Sequence, residues 1–209
     1  MKNIYKNFEI EIFNDANYCL NSTSNFRHYQ NVYFEGKHQE DKFHSTSKHA
    51  VIVKENGIEI SNVILCEVGG ATGIDKNSFI IDDDKIWICV CNKIYCLEIP
   101  TLELVWYKEF DWATNFAIYK LEKDFIIHGE SEIFRITQEG GIVWRFGGRD
   151  IWVNNEDQKE FNIENNTIRL FDFQSNEYVI DFDGNQTIDN PRVIVIEAAK
   201  RKWWKIFKN

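Results

Sequence analysis

The chain has 209 residues, 44% of them hydrophobic and 15% aromatic, with only two prolines; that is enough apolar material for one sizeable β-rich domain and too much for a disordered chain. Its formal charge of −9 argues against general nucleic-acid binding, which needs a basic face to neutralise phosphates. No run approaches the roughly 18 apolar residues of a membrane span, MKNIYKNFEIEIFNDANY lacks the apolar core of a signal peptide, and five cysteines at irregular spacing make no secreted disulfide framework, so a cytoplasmic protein is expected.

In chain order, strands are predicted at 8–13 and 32–35, joined by a polar stretch and contributing to a first β-unit. His38, His44 and His49 read as solvated loop histidines, because no metal-binding spacing such as HExxH relates them. Asn-Gly at 56–57 divides AVIV from IEI, a strong hairpin signal because both residues tolerate positive φ. GGATG at 69–73 lacks the Lys-Ser/Thr of a phosphate loop and reads as a turn between units. IDDDK at 81–85 could offer carboxylates to a divalent ion; an acidic hairpin turn is the plainer reading.

Period-two patterning continues through 86–99. A two-residue turn at Asn92-Lys93 would pair Cys91 with Ile94 and Cys89 with Cys96. Trp87, Cys89, Cys91, Ile94 and Cys96 then share one face, and Ile88, Val90, Tyr95 and Leu97 the other. Both faces are apolar, which suits a sheet packed between two neighbours and not a free antiparallel sheet. Cys89, Cys91 and Cys96 lack a second ligand pair for zinc, so they are expected as buried free thiols and no metal is assigned.

Further breaks occur near Gly129 to Glu132 and at Asn165-Asn166. The isoleucines that follow the four breaks, Ile58, Ile94, Ile133 and Ile168, are 36, 39 and 35 residues apart. Trp106 and Trp144 are 38 apart. Short strands recurring at such a period are the signature of propeller blades and related β-repeats. Beyond the last unit, DNPRVIVIEAAKRKWWKIFKN reads as an amphipathic helix capped by Asp189 or Asn190, with Pro191 at its first position and Ile196, Ala199, Trp203 and Ile206 on one side. From 191 onward six basic residues face Glu197, which leaves −14 on the rest of the chain.

IYCLEIPTLELVW (94–106) and IFRITQEGGIVW (133–144) resemble the repeat of quinoprotein-type β-propellers, in which an aromatic-apolar strand, an acidic turn and a strand ending in Trp recur. IRLFDFQSNEYVIDF (168–182) and IEISNVILCE (58–67) resemble it more weakly. The resemblance implies an all-β, propeller-like array of about four antiparallel sheets over 1–190, closed or partial, with the helix of 191–209 packed on it. The Asp-x-x-Thr-Gly turn of that repeat is absent, so no cofactor is carried over. The chain also resembles small bacterial cytoplasmic proteins found beside polymorphic toxins. That implies an immunity-type partner for a cognate toxin, a basic one to suit the acidic body.

No Ser/His/Asp or Cys/His set stands out, and no catalytic residue is assigned. The expectation is a non-enzymatic protein-binding module acting through loops between sheets, with Asp111, Trp112, Arg149, Asp150 and Trp152 as the binding residues. The alternatives are an assembly scaffold, or a hydrolase or lyase using Asp82 to Asp84 and His128 at the propeller mouth. No nucleic acid, membrane span or cofactor is expected.

Overall fold

The computed structural model describes residues 1–34, 45–154, 156 and 158–193. β1 (Lys2–Tyr5) and β2 (Phe8–Asn14) form a hairpin turned at Lys6, which has positive φ. In β2 the isoleucines face inward while Glu9 and Glu11 face Lys2 and Lys54, the alternation a one-sided strand requires. β3 (Asn31–Phe34) follows, then β4 (Ser47–Glu55) and β5 (Ile58–Glu67). Asn56 and Gly57, at φ 51° and 78°, fold β4 back on β5 as their sequence predicts. The first sheet has the order β1-β2-β4-β5-β3, with β3 added parallel to β5; both strands expected in 1–49 are part of it.

Three four-stranded antiparallel meanders follow, each in sequence order. The second is β6 (Phe79–Asp82), β7 (Lys85–Val90), β8 (Lys93–Glu98) and β9 (Leu104–Glu109). The third is β10 (Asn115–Leu121), β11 (Asp124–Gly129), β12 (Glu132–Thr137) and β13 (Ile142–Gly147). The fourth is β14 (Phe161–Glu164), β15 (Thr167–Phe171), β16 (Glu177–Asp181) and β17 (Gln186–Asn190). The described residues therefore form an all-β, propeller-like array of four sheets.

Sheets stack because their faces are apolar. Ile10, Ile12, Val51 and Leu65 of the first sheet meet Ile86, Ile88, Val90 and Leu97 of the second. Trp87, Cys89, Ile94 and Cys96 leave the second sheet's other face to meet Phe125, Ile127, Phe134 and Ile136 of the third. Ile126, Ile133 and Trp144 meet Ile168, Leu170 and Ile180 of the fourth. At about 25 cal/mol per Å² these apolar contacts dominate the stability of the stack. β15 then alternates strictly, with Ile168 and Leu170 buried and Thr167, Arg169 and Phe171 partly open. Among the described residues no apolar cluster joins the fourth sheet to the first, so the described array is open.

Three expectations need correction. The β7–β8 pairing is Cys89 with Ile94 and Trp87 with Cys96, two residues away from the predicted register. Cys91, at φ 54°, is a turn residue with Asn92. A slip of two keeps each side chain on its face, so the face assignment stands apart from Cys91. The fourth unit is also out of phase. Asn165-Asn166 joins the first and second strands of its sheet, whereas the turns before Ile94 and Ile133 join second and third strands. Finally, Asp189 and Asn190 pair in β17, and 191–193 have no regular structure, so no helix begins at Pro191; residues 194–209 of the predicted helix lie outside the described residues.

The tryptophan repeat does mark equivalent positions. Trp106 in β9 donates Nε1–H to the Gln138 carbonyl (3.0 Å), on the β12–β13 turn of the next sheet. Trp144 in β13 donates to the Phe182 carbonyl (2.9 Å), on the β16–β17 turn of the sheet after that. In each turn a glycine with positive φ, Gly140 or Gly184, lies under the indole. One strand-and-turn device thus joins two successive pairs of sheets.

Candidate protein-binding site

Connections between sheets gather at one end of the stack and are laced by backbone hydrogen bonds. Gly70 N–H donates to the Ala113 carbonyl, Glu130 N–H to Thr114, Trp152 N–H to Glu130 and Phe173 N–H to Ile151. GGATG at 69–73 is thus a connection between sheets, as expected. The β11–β12 turn at Glu130 lies between the 110–114 connection on one side and the 149–152 connection on the other.

Asp111 anchors the first of these. Its carboxylate accepts from Ala113 N–H (2.8 Å) and Thr114 N–H (3.3 Å) within its own turn. It also accepts from Ser131 N–H (2.8 Å), Ser131 Oγ–H (2.7 Å) and Glu132 N–H (3.0 Å) across the neighbouring turn. Asp111 is 1% exposed, and a buried carboxylate needs such donors to offset its lost hydration. Gly129 makes room for it, since a Cβ there would stand 2.5 Å from Asp111 Oδ2. The next residue, Trp112, is 75% exposed. An indole is thereby held out into solvent on a braced turn.

The second connection rests on partners distant in sequence. Arg149 pairs with Asp189 through two 2.7 Å bonds and lies over the Tyr178 ring, 5.4 Å from its centroid. That guanidinium holds the Asp189 carboxyl below its ordinary range. Asp150 is not its partner: it caps Ile151 N–H (2.8 Å) and accepts from Gln174 Nε2 (3.2 Å). Trp152 is fully buried, packed edge-on to Tyr178 at 5.3 Å. Of the five predicted residues, Trp112, Arg149 and Asp150 present atoms to solvent, while Asp111 and Trp152 hold the backbone that carries them.

A second anchor was missed. Asp172, fully buried, accepts from Gln174 N–H, Asn176 N–H, Asn176 Nδ2 and Tyr178 Oη–H, which stiffens the β15–β16 turn beside Arg149. Its signal was the spacing Asp-x-x-x-Asn, which suits a side chain closing its own turn.

The remaining chemical candidates have structural partners. Asp83 and Asp84 have positive φ in the β6–β7 turn. Asp84 pairs with Lys6 of the first sheet, and Asp82 with Lys120 of the third. His128 is 4% exposed and stacked 4.7 Å from Phe161; burial pulls its pKa down to about 4. His49 is corrected from a loop residue to a fully buried one in β4, its pKa likewise lowered to about 4 by burial. His38 and His44 lie outside the described residues. The thiols of Cys66 and Cys96 are pushed up to about 12 by burial. Among the described residues no group of three or more His, Cys, Asp or Glu could hold a metal ion. No described helix is long and apolar enough to cross a membrane.

No family model and no curated protein matches the sequence. Among solved structures the chain is similar to BamB from Moraxella catarrhalis, at 15% identity and a TM-score of 0.47 over 68% of this chain and 43% of that one. It is similar to the Neurospora crassa Pan2 WD40 domain, at 14% identity and 0.44 over 55% and 37%. A third similarity is to the AfRom2 CNH domain, at 9% and 0.44 over 71% and 49%. The chain spans less than half the length of each of these proteins.

Proposed function

We propose that the protein is a non-enzymatic binding module that engages a protein partner at the laced end of the sheet stack, with Trp112 as anchor and Arg149 and Asp150 on the connection across the β11–β12 turn. One observation carries this reading: a 75% exposed tryptophan follows an aspartate that braces its turn with five hydrogen bonds. A large apolar side chain pre-positioned in water loses little conformational entropy on docking. Trp and Arg are also the residue types that dominate interface energies. The negative body suits a basic partner, and a basic toxin held by an immunity-type protein is the specific form of this reading.

The test is affinity capture from the native host with wild-type protein and Trp112→Ala as parallel baits. A basic protein retained by wild type, lost by the folded variant and released by salt is the expected result. Titration of that protein should then show affinity about 30-fold or more lower for Trp112→Ala. Equal capture by both folded baits would place the binding surface elsewhere. Turnover of a substrate abolished by changing Asp82 to Asp84 would replace the reading with an enzymatic one.

A further inference from the structure

Asp111 and Trp112 are matched by a second pair at the same end of the stack. Asp172 is fully buried in the turn between β15 and β16. Its carboxylate accepts from Gln174 N–H (3.0 Å), Asn176 N–H (2.9 Å), Asn176 Nδ2–H (2.8 Å) and Tyr178 Oη–H (2.8 Å). The next residue, Phe173, is 45% exposed. In both pairs a buried aspartate closes its own turn on the N–H two residues further on. The residue between is aromatic both times and lies open to water. A single exposed apolar side chain is ordinary; the same braced device used twice at one end of the molecule is a pattern.

The lacing fixes how far apart the two stand. Glu130 N–H donates to Thr114 O, Trp152 N–H to Glu130 O and Phe173 N–H to Ile151 O. Three backbone hydrogen bonds therefore lead from the connection that carries Trp112 to the turn that carries Phe173. Chains joined in this way run about 4.8 Å apart, which sets the two turns about 14 Å apart. Glu130 and Asp150 lie on the segments between them. Among the described residues neither carboxylate pairs with a cation, whereas Arg149 and Arg192 are neutralised by Asp189 and Glu156.

We propose that Phe173 is a second anchor of the partner-binding surface, and that the partner is a protein presenting two apolar contacts about 14 Å apart with a lysine or arginine between them. The inference rests on the binding reading of Trp112 and extends that surface to the fourth sheet. Both rings sit on turns that their aspartates already hold, so docking has little left to order. A cation brought between two docked rings is shielded from water by them, which strengthens its attraction to Glu130 and Asp150.

The probe is a phage-displayed library of random peptides of about sixteen residues, long enough to span both anchors even as a helix, selected on the full wild-type chain. Enriched peptides should carry Lys or Arg between two apolar residues. Synthesised and titrated, they should bind Trp112→Ala and Phe173→Ala each about tenfold or more weakly, and Glu130→Gln more weakly at low salt only. Phe26→Ala is the control: Phe26 is fully exposed, but its neighbour Arg27 pairs with Glu59 where β5 begins, at the opposite end of the first sheet. Its loss should change nothing. Circular dichroism checks each variant's fold, and Phe173→Gln replaces the alanine variant should that one unfold. Binding weakened by Trp112→Ala but not by the Phe173 variant would overturn the second anchor and leave the binding reading standing. Peptides indifferent to both variants, or a selection that enriches nothing, would overturn both. Enrichment of acidic peptides would overturn the basic partner.

Discussion

His49 and His128 show how burial turns ordinary residues into determinants of stability. Both imidazoles hold out against protonation to about 4 because charging them in the core forfeits hydration. In the unfolded chain they titrate near 6.5, so between those values the unfolded state binds the extra protons. Unfolding free energy should therefore fall as pH drops through that window, by up to about 1.4 kcal/mol per pH unit for each histidine, and level off below it. Urea melts on either side of the window check this, and His128→Phe should flatten the slope. The cysteines divide in the same way. Cys19 is exposed while Cys66, Cys89, Cys91 and Cys96 are buried, and burial raises the pKa of the Cys66, Cys89 and Cys96 thiols. Ellman's reagent should titrate one thiol in the native protein and five after denaturation.

Among elements, the most telling is the pairing of an outer-strand tryptophan with the next sheet's last turn. Truncating Trp106 or Trp144 to Ala removes the ring from the sheet interface at a cost of about 3 kcal/mol each, chiefly through lost packing, since Trp87 still donates to the Gln138 carbonyl and Arg135 to the Phe182 carbonyl. Chemical denaturation would measure it, and a loss below about 1 kcal/mol at both sites would mean that the device does not bind the sheets. Gly184→Ala tests the same contact from below. It sets a Cβ 2.8 Å from the Trp144 ring at a residue with φ 85°, so it should destabilise while Gly57→Ala, with open space around it, meets only the backbone penalty. The turn that carries Trp112 depends on Asp111 alone for five bonds. Asp111→Ala should therefore weaken partner binding as Trp112→Ala does, and lower stability as well, which Trp112→Ala should not.

At the scale of the molecule, the first and second sheets are joined by a buried polar clamp as well as by their apolar faces. Lys93 Nζ donates to Glu67 Oε2 at 2.7 Å, and Tyr95 Oη donates to the other carboxylate oxygen. Glu67 is fully buried. Lys93→Met would leave its carboxylate without its cation and should cost about 3–5 kcal/mol, whereas Lys93→Met with Glu67→Leu should recover much of the loss. Equal losses in the single and double variants, read from thermal or urea unfolding, would mean that the charge pair is not what matters there. Lys6 with Asp84 and Lys120 with Asp82 repeat the clamp at the surface, where water screening leaves each worth little.

Much of this architecture was legible beforehand because it is written in local rules. Asn56-Gly57 specified a hairpin through positive φ, two apolar faces on 86–97 specified a sheet with neighbours on both sides, and Trp106 and Trp144 specified one unit used twice. Each signal depends on residues close together in the chain. What the tertiary structure alone decided is which side chains remain available. Trp112 and Trp152 follow similar acidic turns, yet one is exposed and the other buried, because the choice depends on Tyr178 and Phe146 arriving from other strands. Arg149 took Asp189 over its neighbour Asp150 for the same reason: β17 delivers the distant carboxylate with bidentate geometry. His49 looked like part of a polar loop until β2 and β5 flanked it. Periodicity determines the sheets; the candidate site was settled by contacts between residues far apart in sequence, which no local pattern encodes.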